Sequence, residues 1–403
     1  MAAEAGGEGP WGLGALPDEL VSRVLRRLPP KLLLRCLAVC KAWPRLASEG
    51  EFLLAHHRLQ PAQPLLRSDR NVVDEGVATF LMALHHHCLE AVDLRAAQPP
   101  RMVVRFKDAE HLLPDDDRGV FDALEVHGSC DGLLLLSYLD AFFVCNPTTR
   151  QSAPLPPLAL RARDVLGFYA HAPSRGYRVL YLLRTGVDVV RTEYYVLTVG
   201  SQHLARRIGR PAASASVGDA LSRGLERAGT TPPVLLHGSL HWPPQRLQEN
   251  ILAFDTAAEV FRSIRPPVGV IGGRSFLFEA EGKLALSRGD DTGWSADLWI
   301  MQDHRDDNSW AFARRTEVPV ANRVGDGVPR DATIVSQEGD MLVEFNNRVL
   351  HYDSKGELLQ NFEAGGPMIC FTRHMLKESL VPHPFFRRQR DGRADGPPFF
   401  KGL

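Results

Sequence analysis

The chain has 403 residues, more than one compact domain usually holds, so we expect a large domain with a smaller companion. Its 47 Lys and Arg residues nearly balance 48 Asp and Glu residues, which argues against a broad surface for nucleic acid or anionic membranes. No stretch is apolar enough to span a membrane, and residues 1–15 lack the basic and apolar regions of a signal peptide. The sequence thus predicts a soluble protein of the cytoplasm, the nucleus or both, with neither nucleic acid nor membrane as a partner.

Residues 16–43 predict short helices separated by prolines. Asp18 suits an N-cap, and apolar residues that recur at helical spacing from Leu20 give the first helix an apolar stripe. Pro29 should end this helix, and Pro30 suits the first turn of the next one. The second helix is predicted to turn four residues inward: Leu33, Leu34, Leu37 and Cys40. A third short helix follows.

This three-helix unit carries a surplus of apolar residues. A unit of roughly 40 residues without a disulfide or a metal rarely holds a core alone. Here the apolar residues also exceed what three short helices can bury. The surplus therefore predicts a surface for a partner protein.

The same stretch resembles the F-box, in the version that heads many plant F-box proteins. The matching residues, over about 14–57, are LPDEL at 16–20, the Leu28-Pro29 break, VCKAW at 39–43, Phe52 and His56. Pro30 departs from the aliphatic residue that the family usually has there. The resemblance implies docking on a Skp1-like adaptor and, through it, on cullin-RING ubiquitin-ligase machinery. An unrelated helical hairpin is the alternative.

The resemblance and the apolar stripes together assign adaptor binding to seven residues. They are Pro17, Leu20, Leu25, Pro29, Leu33, Val39 and Trp43. Because the three helices also need a core of their own, some of these side chains must pack internally instead.

The candidate metal ligands do not form a site in the sequence. The six cysteines contain no C-x-x-C pair, which favours reduced thiols over a disulfide framework or a zinc site. The histidines at 85–87 are consecutive, so regular structure cannot turn all three toward one ion, and a solvated helix end or linker is favoured. The aspartates at 115–117 lack the spacing and the glycine of a calcium loop, which favours a solvated turn. No metal is expected.

From about residue 116 the sequence changes to short apolar runs separated by Gly, Pro, Asn and Asp. Three similar units cover 128–157, 234–267 and 281–319, and two looser ones lie at 166–208 and 338–362. Units of roughly 40 to 55 residues with several strands each predict propeller blades, with one or two more blades in weaker stretches. A pair of β-sandwiches is the alternative fold.

These repeats resemble the F-box-associated domain of the same plant proteins. The matching phrases include GSCDGLL at 128–134, CNPTTR at 145–150, HGSLHW at 237–242, DLW at 297–299 and the stretch 374–382. The resemblance implies a kelch-like propeller that captures a target protein and performs no catalysis.

Together these features predict a multidomain protein, α plus all-β, with a three-helix F-box followed by a β-propeller. The predicted segments are a disordered N-terminus at 1–13, the F-box at 14–57, a connector at 58–115 that could partly join the propeller, the propeller at 116–385 and a tail at 386–403. The pattern does not fix the number of blades or the face that binds a target.

Three tryptophans and one insertion bear on target binding. Trp242 and Trp299 lie in apolar, strand-like contexts that favour packing within a blade. Trp294 follows a glycine in a polar loop, where partner contact and local packing are both expected, so it is a weak candidate for target binding. The insertion at 214–233 is either a recognition loop or a disordered excursion.

The motifs favour an adaptor over a catalyst. The sequence contains no G-x-S-x-G elbow, no phosphate-binding P-loop and no H-E-x-x-H pair, so we assign no catalytic residue and no cofactor. We expect a substrate-recognition adaptor of a Skp1-cullin-F-box ubiquitin ligase, with an unidentified target protein on the β domain. The alternatives are a propeller enzyme or small-molecule sensor whose F-box governs its own turnover, and an interaction scaffold that forms no ligase.

Overall fold

The computed structural model describes most of the chain in two structural parts, one helical and one built of sheets. The described residues are 17–39, 43–47, 50–72, 84–96, 98–107, 124–138, 141–156, 165–185, 191–201, 205–208, 215–223, 225, 232–245, 249–270, 274–363, 368–387 and 398–400. Their α-helices are α1 (Asp18–Leu25), α2 (Pro30–Val39), α3 (Trp43–Ala47), α4 (Gly50–Leu59), α5 (Ala215–Arg223) and α6 (Pro384–Arg387). Short 3-10 helices lie at Ala172–Ser174, Val320–Asn322 and Pro398–Phe400.

In the same residues, six antiparallel sheets of four strands form the blades of a propeller. Blade 1 contains β1 (Ala62–Val72), β2 (Leu84–Ala91), β3 (Arg101–Lys107) and β24 (Met368–Lys377). Blade 2 contains β4 (Leu124–Cys130), β5 (Leu133–Tyr138), β6 (Ala141–Asn146) and β7 (Gln151–Pro154). Blade 3 contains β8 (Val165–His171), β9 (Gly176–Thr185), β10 (Arg191–Thr198) and β11 (Arg206–Ile208).

The remaining three blades follow in chain order. Blade 4 contains β12 (Val234–Leu236), β13 (Ser239–Trp242), β14 (Ile251–Asp255) and β15 (Val260–Ile264). Blade 5 contains β16 (Ser275–Ala280), β17 (Lys283–Gly289), β18 (Ser295–Met301) and β19 (Trp310–Glu317). Blade 6 contains β20 (Asp331–Ile334), β21 (Met341–Phe345), β22 (Arg348–Tyr352) and β23 (Leu358–Glu363). The six sheets confirm the predicted propeller and not the alternative, a pair of β-sandwiches.

Blade 1 closes the ring with strands from two distant parts of the chain. Its first strand, β24, pairs with β1 from Ala62 opposite Lys377 to Asp69 opposite Met368. Three strands of this blade come from the segment predicted as a connector, so the expected propeller boundary at 116 falls inside the propeller.

Neighbouring blades approach each other closely at two glycines. A β-carbon added at Gly128 would lie 2.6 Å from the β-carbon of Phe168 in the next blade. One added at Gly289 would lie 2.7 Å from the carbonyl oxygen of Ala332. Any larger residue there would push two blades apart, because these partners are backbone or near-backbone atoms.

Large apolar side chains fill the spaces between the blades. Trp242 is fully buried and packs in one cluster with Tyr169 of blade 3 and Phe261 of its own blade, which confirms its predicted packing role. Helix α5, which lies in the insertion at 214–233, buries Val217 and Leu221 in the same cluster. The described part of the insertion is therefore a packed helix, which neither sequence alternative anticipated.

The helical part, α1 to α4, has a small core of its own. Val21, Leu25, Leu33 and Phe52 are buried there. Helix α2 begins at Pro30 as predicted, but α1 begins differently, because Pro17 occupies the N-cap and Asp18 lies in the first turn without a capping bond. The predicted three-helix unit gains a fourth helix, α4, which supplies Phe52.

Two further expectations concern runs of titratable residues, the histidines at 85–87 and the aspartates at 115–117. His87 is buried in β2, with its Nδ1 2.8 Å from an oxygen of Asp69 on β1. The prediction of a solvated helix end is therefore wrong for His87, because an apolar strand carries this residue into the blade. The aspartates at 115–117 lie outside the described residues.

Candidate protein-docking surfaces

Helices α1 and α2 leave four large aliphatic side chains in solvent, and we call these residues the exposed F-box set. Their exposed fractions are 43% for Leu20, 57% for Val24, 44% for Leu32 and 51% for Leu34. Leu20 and Val24 are one turn apart on α1, so they share a face of that helix. Apolar side chains concentrated on so small a unit mark a surface that another protein can cover.

The seven residues that the sequence assigned to adaptor binding fall into different environments. Pro17, Leu20 and Pro29 are exposed, and Trp43 is half-buried against the helical core. Leu25 and Leu33 are 2% and 0% exposed, so they form the internal core. The structure describes the backbone of Val39 but not its side chain.

Sequence reasoning missed Val24, Leu32 and Leu34 as exposed residues. The sequence predicted that both Leu33 and Leu34 face inward; Leu33 is buried, but Leu34 faces solvent. On α1 two apolar stripes lie side by side, and the helical period alone does not show which one is buried.

The charges on α1 and α2 give this surface an excess of positive potential. The exposed basic side chains are Arg23, Arg27, Lys31 and Arg35, while the acidic ones are Asp18 and Glu19. Arg26 lies 5.4 Å from the centre of the Phe52 ring, where a guanidinium is attracted by the ring face. The exposed charges on the two helices that carry the exposed F-box set are therefore mostly positive.

The F-box contacts the propeller through the end of α4. Nδ1 of His57 lies 2.9 Å from the carbonyl oxygen of Glu378, directly after β24. Its Nε2 lies 3.9 Å from a carboxylate oxygen of Asp131, in the turn after β4. Leu380 adds an apolar contact to the helical core. The closing strand and blade 2 therefore fix the orientation of the F-box.

A second histidine joins the helices to one another. The Nε2 of His56 lies 2.8 Å from the carbonyl oxygen of Leu28, at the break between α1 and α2. The amide of Gln60 donates to the same carbonyl over 3.3 Å. Burial lowers the pKa of His56, and the bond to Leu28 opposes that shift only in part. A neutral imidazole that donates to Leu28 fits this position.

Trp294, the weak candidate for target binding, lies in the interior. Only 4% of it is exposed, and its ring packs 5.4 Å from that of Phe345 in blade 6. Its indole nitrogen donates to the carbonyl oxygen of Gly327 over 3.3 Å. The indole is therefore packed locally, because the loop that contains Gly327 folds over it.

The described side chains offer no prepared metal centre, and two of the buried thiols are poorly reactive. Among them, no group of three or more His, Cys, Asp or Glu residues could hold a metal ion. Burial raises the pKa of the Cys130 and Cys145 thiols, which keeps both protonated and poorly nucleophilic. In the described ranges, no helix is both long and apolar enough to cross a membrane.

Comparison with known families agrees with these two parts. Residues 103–379 match the F-box associated beta propeller domain, and residues 13–59 match an F-box-like domain. The first match covers more than half of the chain, so the protein belongs to the F-box-associated β-propeller family and carries an F-box-like domain.

Curated relatives share this arrangement along most of their length. F-box protein At5g49610 of Arabidopsis thaliana is 26% identical over 398 residues, which cover 92% of this chain and 98% of the relative. F-box protein CPR1 of the same plant is 23% identical over 403 residues, which cover 92% and 89%. This protein is thus similar to plant F-box proteins.

Solved structures are more distant. The structure of YjhT aligns with a TM-score of 0.36 and 10% identity, covering 77% of this chain and 99% of that one. A gluconolactonase from Xanthomonas campestris aligns with a TM-score of 0.34 and 13% identity, covering 76% and 88%. The strand pairing of this chain itself defines the six blades of the propeller.

Proposed function

We propose that this protein is a non-catalytic subunit of a Skp1-cullin-F-box ubiquitin ligase that selects the target. Its F-box binds a Skp1-like adaptor, and its propeller binds a target protein. The observation that carries this proposal is the exposed F-box set on a helical unit that is itself anchored to the propeller. Family membership supports the same assignment.

The proposed mechanism is proximity. The adaptor and the cullin hold a ubiquitin-charged enzyme, and the propeller holds the target in the same assembly. Tethering converts the encounter of enzyme and target into an intramolecular step, which raises their effective concentration. The anchored F-box helps, because a fixed connection limits the range of positions that a bound target lysine explores.

Co-purification of adaptor and cullin with the full chain tests this proposal. The informative variant is Leu20→Asp with Val24→Asp, which places charges in the exposed F-box set. Its matched control is Val320→Asp with Leu359→Asp, which charges two exposed apolar positions of the propeller. Wild type and control should recover both partners, and the F-box variant should recover neither.

Two outcomes would contradict the proposal. Equal recovery of the adaptor by the F-box variant and the control would show that the exposed F-box set does not bind it. Recovery of adaptor without cullin would indicate a scaffold that forms no ligase.

A further inference from the structure

The central channel of the propeller has two unlike ends. The F-box lies at the end where β24 finishes, because His57 contacts the backbone of Glu378 there. The first strands of blades 5, 6 and 1, which are β16, β20 and β24, all begin at the opposite end. We call that opposite end the channel mouth.

Four arginines and three carboxylates lie near the channel mouth. Arg274 and Arg330 directly precede β16 and β20, Arg373 lies in β24, and Arg67 lies in the adjacent strand β1. Their charges, and that of Asp69 in β1, act on Asp331, on Glu344 or on the neighbouring thiol of Cys370. Among these groups the arginines outnumber the carboxylates by one.

The carboxylates of Asp331 and Glu344 are turned into the protein. Asp331 has a side chain only 7% exposed and forms an ion pair with Arg373. Glu344 accepts a bond from the backbone nitrogen of Phe371 over 3.3 Å. Burial raises the pKa of both carboxyls, although Arg373 lowers them in part. The close ion pair of Asp331 is with Arg373, whereas the charges of Arg274 and Arg330 act on these carboxyls without such a pair.

Arg274 and Arg330 are the outer arginines, and both are exposed. In the described part of the chain, no carboxylate oxygen lies within the 4 Å of an ion pair from either guanidinium. Arg274 donates only weakly, over 3.5 Å, to the carbonyl oxygen of Asp290. Two planar donor groups on neighbouring blades are thus available to separate anionic groups.

Two exposed valines of the mouth fit an extended peptide. Val268 and Val328 lie in the loops that lead to these arginines and are 102% and 71% exposed, so they offer apolar contact beside the charges.

We propose that the channel mouth binds an acidic, extended segment of the target protein, with carboxylates on Arg274 and Arg330 and small apolar side chains on the two valines. This deepens the proposed function, since it names the class of target that the propeller selects. Two guanidiniums on neighbouring blades can each bind one carboxylate of an extended segment.

Fluorescence anisotropy with the full chain tests the site. The probe is a short labelled peptide of alternating glutamate and valine, and its neutral analogue has glutamine in place of glutamate. Arg274→Gln with Arg330→Gln should weaken binding of the acidic peptide about tenfold, because each charge-assisted bond is lost. The control Arg305→Gln with Lys355→Gln removes equal charge at exposed positions of the opposite end and should leave affinity nearly unchanged. Added salt should weaken wild-type binding.

Three results would overturn the assignment. One is wild-type binding of the acidic peptide that is no tighter than that of its neutral analogue, including no binding at all. Another is an affinity for the acidic peptide that is equal in the Arg274 and Arg330 double variant and in the control. The third is binding of a phosphoserine analogue alone, which would show that phosphate and not carboxylate is recognised.

The adaptor assay separates this proposal from the proposed function. The arginine double variant should still bind a Skp1-like adaptor, while the Leu20 and Val24 double variant should still bind the acidic peptide. Failure of one activity alone therefore identifies which surface was assigned wrongly. Thermal unfolding of each variant checks that the fold is intact.

Discussion

Two buried histidines of the propeller, His127 and His241, form hydrogen bonds with neutral groups. The Nε2 of His127 lies 2.7 Å from the hydroxyl of Ser137, and Nδ1 of His241 lies 3.3 Å from the carbonyl oxygen of Val234. Burial lowers the pKa of His127 and of His241 to about 3, and that of His383 to about 4. These side chains therefore stay neutral at physiological pH and stabilise the fold through packing and hydrogen bonds.

This pKa shift predicts that acid destabilises the protein from about pH 6.5 downward. The unfolded chain takes up protons at these histidines near their ordinary pKa, whereas the folded chain does not until about pH 3 to 4. Because the unfolded state binds more protons, its free energy falls relative to the folded state, by about 1.4 kcal/mol per histidine and pH unit. Thermal unfolding at a series of pH values between 7.5 and about 5 measures the effect.

The variant His127→Gln isolates the contribution of one residue. Glutamine can still bond to Ser137 but takes up no proton, so its unfolding temperature should fall less steeply with acid than that of the wild type. The comparison uses the slope of unfolding temperature against pH for each protein. Asp331 and Glu344, whose pKa values are raised by burial, change stability with pH in the opposite direction in both proteins. Identical slopes for both proteins would refute the role of His127.

Within the F-box helices, different residues form the internal core and the proposed docking surface. Leu25→Ala should destabilise the helical part by about 2 to 5 kcal/mol, because it opens a cavity in a buried site. Leu20→Ala, on the next apolar stripe, should change stability by less than about 0.5 kcal/mol but weaken adaptor binding. Chemical denaturation followed by circular dichroism and an adaptor-binding assay measure the two properties. Equal loss of stability in both variants would contradict this division.

How much the sequence predicts differs between the elements. Five blades were visible because each lies in one continuous stretch with its own glycine turn, as GSCDGLLLL in blade 2 illustrates. The sixth was not, because blade 1 joins β24 to β1 across the whole domain and no local pattern records that pairing. In the F-box, the helices and the Pro30 start were predictable. The exposure of Leu34 was not, since burial depends on how helices pack and not on their period alone.

At the scale of the whole molecule, the closing strand connects ring closure with the F-box. The chain leaves β24 and immediately contacts α4 through Glu378 and Leu380. It then passes Asn146 of blade 2, whose amide donates to the carbonyl oxygen of Ser379 over 3.1 Å. The segment from β24 to Leu380 therefore closes the propeller ring and also fixes the orientation of the F-box.

Leu380→Asp should loosen the F-box without opening the propeller. The substitution places a charge against the helical core, while the pairing of β24 with β1 is untouched. Backbone amides of α1 to α4 should exchange hydrogen faster, and those of the blades should not change. Leu359→Asp, at an exposed position of β23, is the control. Unchanged exchange in the F-box would show that this contact does not hold it.

The most direct test of the central claim is the affinity of a purified Skp1-like adaptor for the full chain, measured by isothermal titration calorimetry. We predict saturable binding by the wild type and by the control Val320→Asp with Leu359→Asp. Leu20→Asp with Val24→Asp should lose binding while unfolding at the same temperature as the control. Wild-type protein that gives no heat of binding, or an F-box variant that binds as tightly as the control, would contradict the account.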